Sequence, residues 1–224
     1  MIRLSRGLAP QALLDNWKEW TEEWTASRHG GPQRSDEWAA TRFGSEQVRQ
    51  ALARDSHGKC MYCEGRMADV SYPNVEHIRP KARFDDAVFD WDNLGVACAV
   101  CNTSKGAQYD PTLPPVDPYR EAPGEFLRAV GWYYFNWPGS DRGRLTIAMV
   151  QLNRGDLVES RKRLFLRIAA LLDGARSASG SIRDLLMHQV EEAMMEDAEF
   201  SSMCRQMTTD LSEPHELEGK HHGA

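Results

Sequence analysis

The chain has 224 residues and carries 27 Lys+Arg against 33 Asp+Glu, a formal net charge of −6, which suits one large domain or a small domain wrapped in accessory structure. With 41% hydrophobic and 27% charged residues it is close to an ordinary soluble globular protein, and its longest apolar run, Leu94 to Val100, falls far short of the ~20 residues a membrane-spanning helix needs. Arg3 and Arg6 lead into Pro10 and Gln11 rather than an apolar stretch, so no secretory signal is read and a cytoplasmic protein is expected.

The first 58 residues read as a helical region. Leu13, Trp17, Trp20 and Trp24 recur at spacings of four, three and four, which predicts a helix over 10–27 with these side chains on one face. A Trp stripe can stack on bases, but at this spacing packing on a core is preferred. Ser35 is placed to cap a second helix carrying Trp38, Phe43, Val48 and Leu52, with Gly44 as a break point.

Residues 59–108 hold the most informative pattern. Cys60 and Cys63, then Cys98 and Cys101, form two C-x-x-C knuckles. With no export signal a disulfide framework is disfavoured, because the cytosol keeps thiols reduced. Two knuckles present four thiolates to one tetrahedral Zn²⁺, a structural site. The 34 residues between them exceed the common spacing of ~15–20, so something is inserted in the zinc loop. A fifth cysteine, Cys204, lies between Met203 and Met207 at a helical position and is read as packed.

Inside the loop, Val75 to Ile78 predict a strand that ends close to His77, because Pro80 stops regular pairing. A second strand is expected near Val88 to Trp91, and a helix from about Val96 onward with Asn102 and Lys105 on one face. That arrangement gathers Glu76, His77, Asn93 and Asn102, a set suited to phosphodiester hydrolysis. His is the side chain whose ordinary pKa of ~6.5 lets it deprotonate water near neutrality. Glu76 and Asn102 offer hard oxygens to one Mg²⁺ or Mn²⁺, which supplies charge to the phosphate. Asn93 can hold the imidazole through one ring nitrogen, and Lys105 and Arg79 are candidates for gripping flanking phosphates. On a regular strand Glu76 and His77 would face opposite ways, so a bulge or the strand end must lie there if both serve one phosphate.

Residues 109–212 continue with five prolines between Pro111 and Pro123, an extended connector. Trp132 to Phe135 and Leu145 to Leu152 read as strands. Asn153 is placed to cap a helix to Leu172, and a last helix is expected over 181–209, before a frayed tail at 213–224 with Lys220, His221 and His222. Arg161, Lys162, Arg163 and Arg167 form a basic cluster, either a nucleic-acid contact or a solvated helix face beside Asp156 and Glu159. There is no G-x-x-x-x-G-K-[ST] phosphate loop and no G-x-G-x-x-G, so neither ATP hydrolysis nor dinucleotide binding is expected.

The run C-x-x-C, Glu-His-Ile-x-Pro, Asn-Leu, C-x-x-C-Asn-x-x-Lys resembles the HNH nucleases. That resemblance implies an α+β, mainly helical chain built around a zinc-stabilised ββα-metal (HNH) motif. It further implies His77 as general base, Asn93 as the residue that orients it, and Glu76 and Asn102 as ligands of the catalytic metal. The chain departs from the common pattern at Glu76, where Asp is more usual, and at Asn102 in place of His, as in the His-Asn-Asn variants. The opening Met-Ile-Arg-Leu-Ser-Arg, Tyr62-Cys63-Glu64, Val116-Asp117-Pro118 and Leu152-Asn153 are similar to the HNH subunits of bacterial Septu anti-phage systems, also found beside some retrons. This narrower resemblance implies an ABC/SMC-like ATPase partner and a nucleic-acid substrate, DNA ahead of RNA. The competing reading keeps the zinc frame as a binding module with an idle catalytic cluster. A plain zinc ribbon has no need of a Glu-His step inside its loop, so the enzyme reading leads.

The acidic total does not exclude nucleic acid. Residues 188–224 hold nine Asp+Glu against Arg205 and Lys220, so the preceding body is close to neutral. A near-neutral body supplies few phosphate contacts, which implies weak binding alone and a partner that adds grip.

Overall fold

A computed structural model of the chain describes residues 1–67 and 73–212; the tail with Lys220, His221 and His222 lies outside the described residues. Helix α1 (Gln11–Arg28) follows Pro10. Its Trp stripe is graded: Trp24 is fully buried, Trp20 half-buried and Trp17 38% exposed. The Ser35 hydroxyl accepts from the Trp38 N–H at 3.0 Å and starts α2 (Asp36–Phe43), which stops at Gly44. Ser45 repeats the device for α3 (Glu46–Asp55). Trp24 stacks on Trp38 with ring centroids 6.5 Å apart, and Trp20 and Trp38 both meet the ring of Phe89 edge-on. The stripe is therefore core, and what it supports is the loop that carries Phe89.

Two short antiparallel strands, β1 (Asn74–His77) and β2 (Leu94–Ala97), pair Glu76 with Gly95 and His77 with Leu94. The strand expected at Val88 to Trp91 forms six residues later, at Leu94–Ala97. That stretch instead makes 3₁₀ turns at Asp85–Ala87 and Trp91–Asn93, the second capped by the Asp90 carboxylate on the Asp92 N–H. Val88 and Phe89 bury their side chains against the helical region without pairing, so their β-propensity goes unused. Helix α4 (Ala99–Lys105) leaves Cys98 and ends at Gly106, whose φ of +51° suits glycine.

Beyond the proline-rich connector, β3 (Leu127–Val130) pairs antiparallel with β4 (Tyr133–Asn136). The strand expected over Leu145 to Leu152 is α5 (Asp141–Met149) and a following turn. Ser140 caps that helix by accepting from the Gly143 N–H, and β4 already has its partner in the preceding strand. The long helix α6 (Gly155–Ser177) begins after Arg154, not Asn153. Asn153 spends its amide on β4, donating to the Tyr134 carbonyl and accepting from the Tyr134 N–H, both at 2.8 Å.

The single helix expected over 181–209 is two, α7 (Gly180–Met194) and α8 (Ser201–Ser212). No Gly or Pro marks the break. The buried ammonium of Lys59 donates to the Glu196 carbonyl, to the Ala198 carbonyl at 2.8 Å and to the Ser201 hydroxyl at 3.4 Å, and Phe200 takes a φ of +53°. Phe200, Met203 and Met207 then bury against the rest of the core. Cys204 is buried as expected. Of the basic cluster, Arg161 is fully buried, donating to the Leu152 carbonyl at 2.7 Å and lying 4.6 Å over the Tyr134 ring. Among the described residues no helix is long and apolar enough to cross a membrane.

Candidate active site

The first knuckle is a tight turn. The Cys60 N–H donates to Gly65 O, the Glu64 N–H to Cys60 O, and the Met61 N–H to Val96 O of β2, each at 3.0 Å. The second knuckle is the first turn of α4, where the Asn102 N–H donates to Cys98 O. The two meet so that Cys60, Cys63, Cys98 and Cys101, all buried and free of disulfides, bring their sulfurs within 4.8 Å of one another. Four buried thiols at that separation are the donor set and spacing of a tetrahedral Zn²⁺ site, whose Zn–S bonds run ~2.3 Å. Such a clasp fixes the end of β2 and the start of α4 to the segment preceding β1.

β1 ends at His77, and the strand end lets two consecutive side chains serve one space. Glu76, His77 and Asn102 line the same cavity of about 370 Å³, together with Phe43, Lys81 and Gly106. The His77 ring is buried, edge-on to Phe43 at 4.6 Å between centroids. Its Nε2 lies 3.0 Å from the Val88 carbonyl, an acceptor only, so Nε2 carries the hydrogen and Nδ1 keeps the lone pair. Burial, helped by the cations of Lys81 and Lys105, lowers its pKa to about 4 against the opposing Val88 bond. The imidazole is therefore neutral, and able to accept a proton, throughout the physiological range.

Asn93 does not make the expected bond to the imidazole. Its Oδ1 accepts from the Arg79 N–H at 2.7 Å, while its Nδ2 donates to Arg79 O at 3.0 Å and Ala87 O at 2.9 Å. It staples both ends of the loop between the strands, and the residue after Ala87 is the one whose carbonyl holds His77. The orientation is thus transmitted through backbone.

Glu76 is buried, and its Oε1 accepts from Lys105 Nζ at 2.6 Å and from the Tyr62 hydroxyl at 3.2 Å. Burial pushes its carboxyl pKa up against the pull of both donors. Neither contact uses Oε2. A carboxylate and an amide oxygen on one cavity wall are the hard donors Mg²⁺ or Mn²⁺ takes, with waters completing the shell. Lys105, expected on a flanking phosphate, is buried; beyond Glu76 its ammonium donates to the His77 carbonyl at 2.8 Å. Arg79 is partly exposed over the Phe84 ring and lines an adjacent cavity with Asn93, not the one with His77. Lys81, which does line the His77 cavity, escaped the sequence reading, as did Tyr62 and the Val88 carbonyl. Only Lys81 carried a signal, its place four residues after His77.

The HNH endonuclease family model matches residues 60–108. Residues 60–108 are an HNH endonuclease domain. The chain that carries it is a nuclease, and its domain spans both knuckles, both strands, Asn93 and α4. Two relatives extend the likeness over most of the chain. A Septu protein PtuB of Bacillus thuringiensis is 27% identical over 211 residues, covering 88% of this chain and 76% of its own. A Septu protein PtuB of Bacillus mycoides (strain KBAB4) is 26% identical over 190 residues, 69% of this chain and 63% of its own.

Proposed function

We propose that this chain is a metal-dependent HNH endonuclease that cuts DNA, acting in the cytoplasm as the nuclease subunit of an anti-phage complex with an ABC/SMC-like ATPase. The observation that carries the chemistry is the shared cavity, which His77, its Nε2 held by Val88 O, lines together with Glu76 and Asn102. His77 Nδ1 takes the proton of the attacking water. Its ring is fixed for that task by Val88 O, with Asn93 holding the loop. Glu76 and Asn102 would hold one Mg²⁺ or Mn²⁺, which would supply positive charge to the scissile phosphate and the departing oxygen. Lys105 keeps the Glu76 carboxylate in place from behind, and Lys81 and Arg79 give phosphate contacts from the two cavities. Zn²⁺ on the four cysteines is structural. The defence role and the partner rest on the two Septu relatives and on the family resemblance.

The test is plasmid cleavage with Mg²⁺ or Mn²⁺, with and without the proposed ATPase partner, run in parallel on single-stranded DNA and RNA. His77→Ala at unchanged zinc content should lower the rate by about 10²–10⁴-fold, the usual worth of a positioned general base. Equal cutting by both proteins, or none by wild type even with the ATPase, overturns the reading.

A further inference from the structure

Arg154, the residue from which α6 springs, lies against the second knuckle. Its Nη1 is 3.4 Å from Cys101 Sγ and its Nη2 3.8 Å from Cys98 Sγ, so one planar guanidinium spans both sulfurs. The opposite edge is gripped by Asp156, whose carboxylate is 3.1 Å from Nε. Arg154 is 13% exposed and Asp156 67%, which places the cation between the sulfurs and solvent. The approach is built by the chain just before it: Gln151 adopts a φ of +50°, and the Arg154 N–H closes the turn on the Gln151 carbonyl at 3.1 Å.

Four thiolates around one Zn²⁺ carry a local charge of −2. Such a charge is costly to bury unless cations and hydrogen-bond donors compensate it. Among charged side chains only arginine offers two parallel N–H donors from one rigid plane; lysine is a point charge. Groups that hydrogen-bond to metal ligands tune both ligand basicity and metal retention.

We propose that Arg154 is a thiolate clamp: its two N–H donors draw electron density from Cys98 and Cys101, offset the charge of the zinc centre and slow loss of the metal. The clamp rests on the zinc reading above. It gives α6 a direct stake in the zinc centre, through a positioning residue 53 positions after Cys101.

The experiment uses the full chain loaded with zinc, and separately with cobalt, and follows metal transfer to excess EDTA. Arg154→Gln should release zinc about tenfold faster or more, within the range seen when such outer contacts are removed. Arg154→Lys, which keeps the charge but not the paired donors, should fall between. In the cobalt protein, the thiolate-to-metal charge-transfer band should move to lower energy in both variants, further in Arg154→Gln, because sulfurs without N–H donors are easier to oxidise. A merely structural arginine would leave that band in place. Zinc release by Arg154→Gln within twofold of wild type, or faster release with an unshifted band, overturns the clamp. If Arg154→Gln does not fold, Arg154→Lys decides, and a wild-type band with wild-type release overturns it. A wild-type chain that takes up neither metal overturns the zinc reading and the clamp together.

Discussion

Lys105 sits one helical turn after Cys101, and its ammonium is spent entirely inside the protein. It binds Glu76 and the His77 carbonyl, so it locks the two residues that the chemistry needs into one frame. Lys105→Met should leave a buried carboxylate without its counter-charge, a loss of about 3–5 kcal/mol, seen as a lower urea midpoint. An unchanged midpoint would show that Glu76 has another partner. Asn93→Ala removes three hydrogen bonds from one loop and should cost about 1–3 kcal/mol. Cleavage should slow while zinc content holds, since Asn93 touches the loop and not the knuckles. The identity of these residues was legible because side-chain types at fixed spacing carry it: two C-x-x-C pairs, Glu-His, then Asn. Their contacts were not. The group that holds His77 is a main-chain carbonyl at Val88, which leaves no mark on residue type, and a lysine at a helix end reads the same whether it faces solvent or a buried carboxylate.

The elements separate along a similar line. Helices with a local mark were readable: α1 by its apolar stripe, and α2 by the Ser35 cap and the stop at Gly44, after which α3 begins. The β hairpin was half readable: β1 ends where Pro80 requires, but its partner was displaced because Asp90 caps a 3₁₀ turn and Val88 and Phe89 find burial in the helical region. The break between α7 and α8 was invisible, since Lys59, over a hundred residues away, satisfies its carbonyls. Gly95 on β2 shows how closely strand and knuckle are fitted. It lies opposite Glu76, and a Cβ there would drive into the Met61 sulfur of the first knuckle. Gly95→Ala should therefore cost about 1–3 kcal/mol, the usual price of overpacking a core, and slow cleavage by shifting Glu76. Melting and cleavage at wild-type levels would show that Met61 moves aside freely.

At the scale of the whole molecule, one carboxylate ties the chain's beginning, its zinc knuckle and its last helices together. Glu64 follows Cys63 directly and is buried. It pairs with the Met1 ammonium, lies 3.9 Å from Lys59, and accepts from the Ser201 hydroxyl at 3.2 Å and the Ser202 N–H at 3.1 Å. Burial alone would raise its pKa; the Met1 ammonium, Ser202 and Lys59 outweigh burial and hold it down to about 2 from an ordinary 4.5. Glu64→Gln keeps the shape but strands two buried cations, so near neutrality it should be destabilised by about 3–5 kcal/mol. The pH dependence gives a sharper check. A carboxyl whose pKa is lowered by folding stabilises fully above its unfolded value and loses that contribution as pH falls toward its folded value. The gap in melting temperature between wild type and Glu64→Gln should be widest just above pH 4.5 and close progressively toward pH 2, and it should narrow again at higher pH as the Met1 ammonium, its pKa lowered by burial, loses its proton. Acid also releases zinc by protonating thiolates, but that loss strikes both proteins alike and cancels in the difference. A gap that stays constant down to pH 2 would mean that Glu64 is not the ion binding Met1 and the start of α8 to the knuckle.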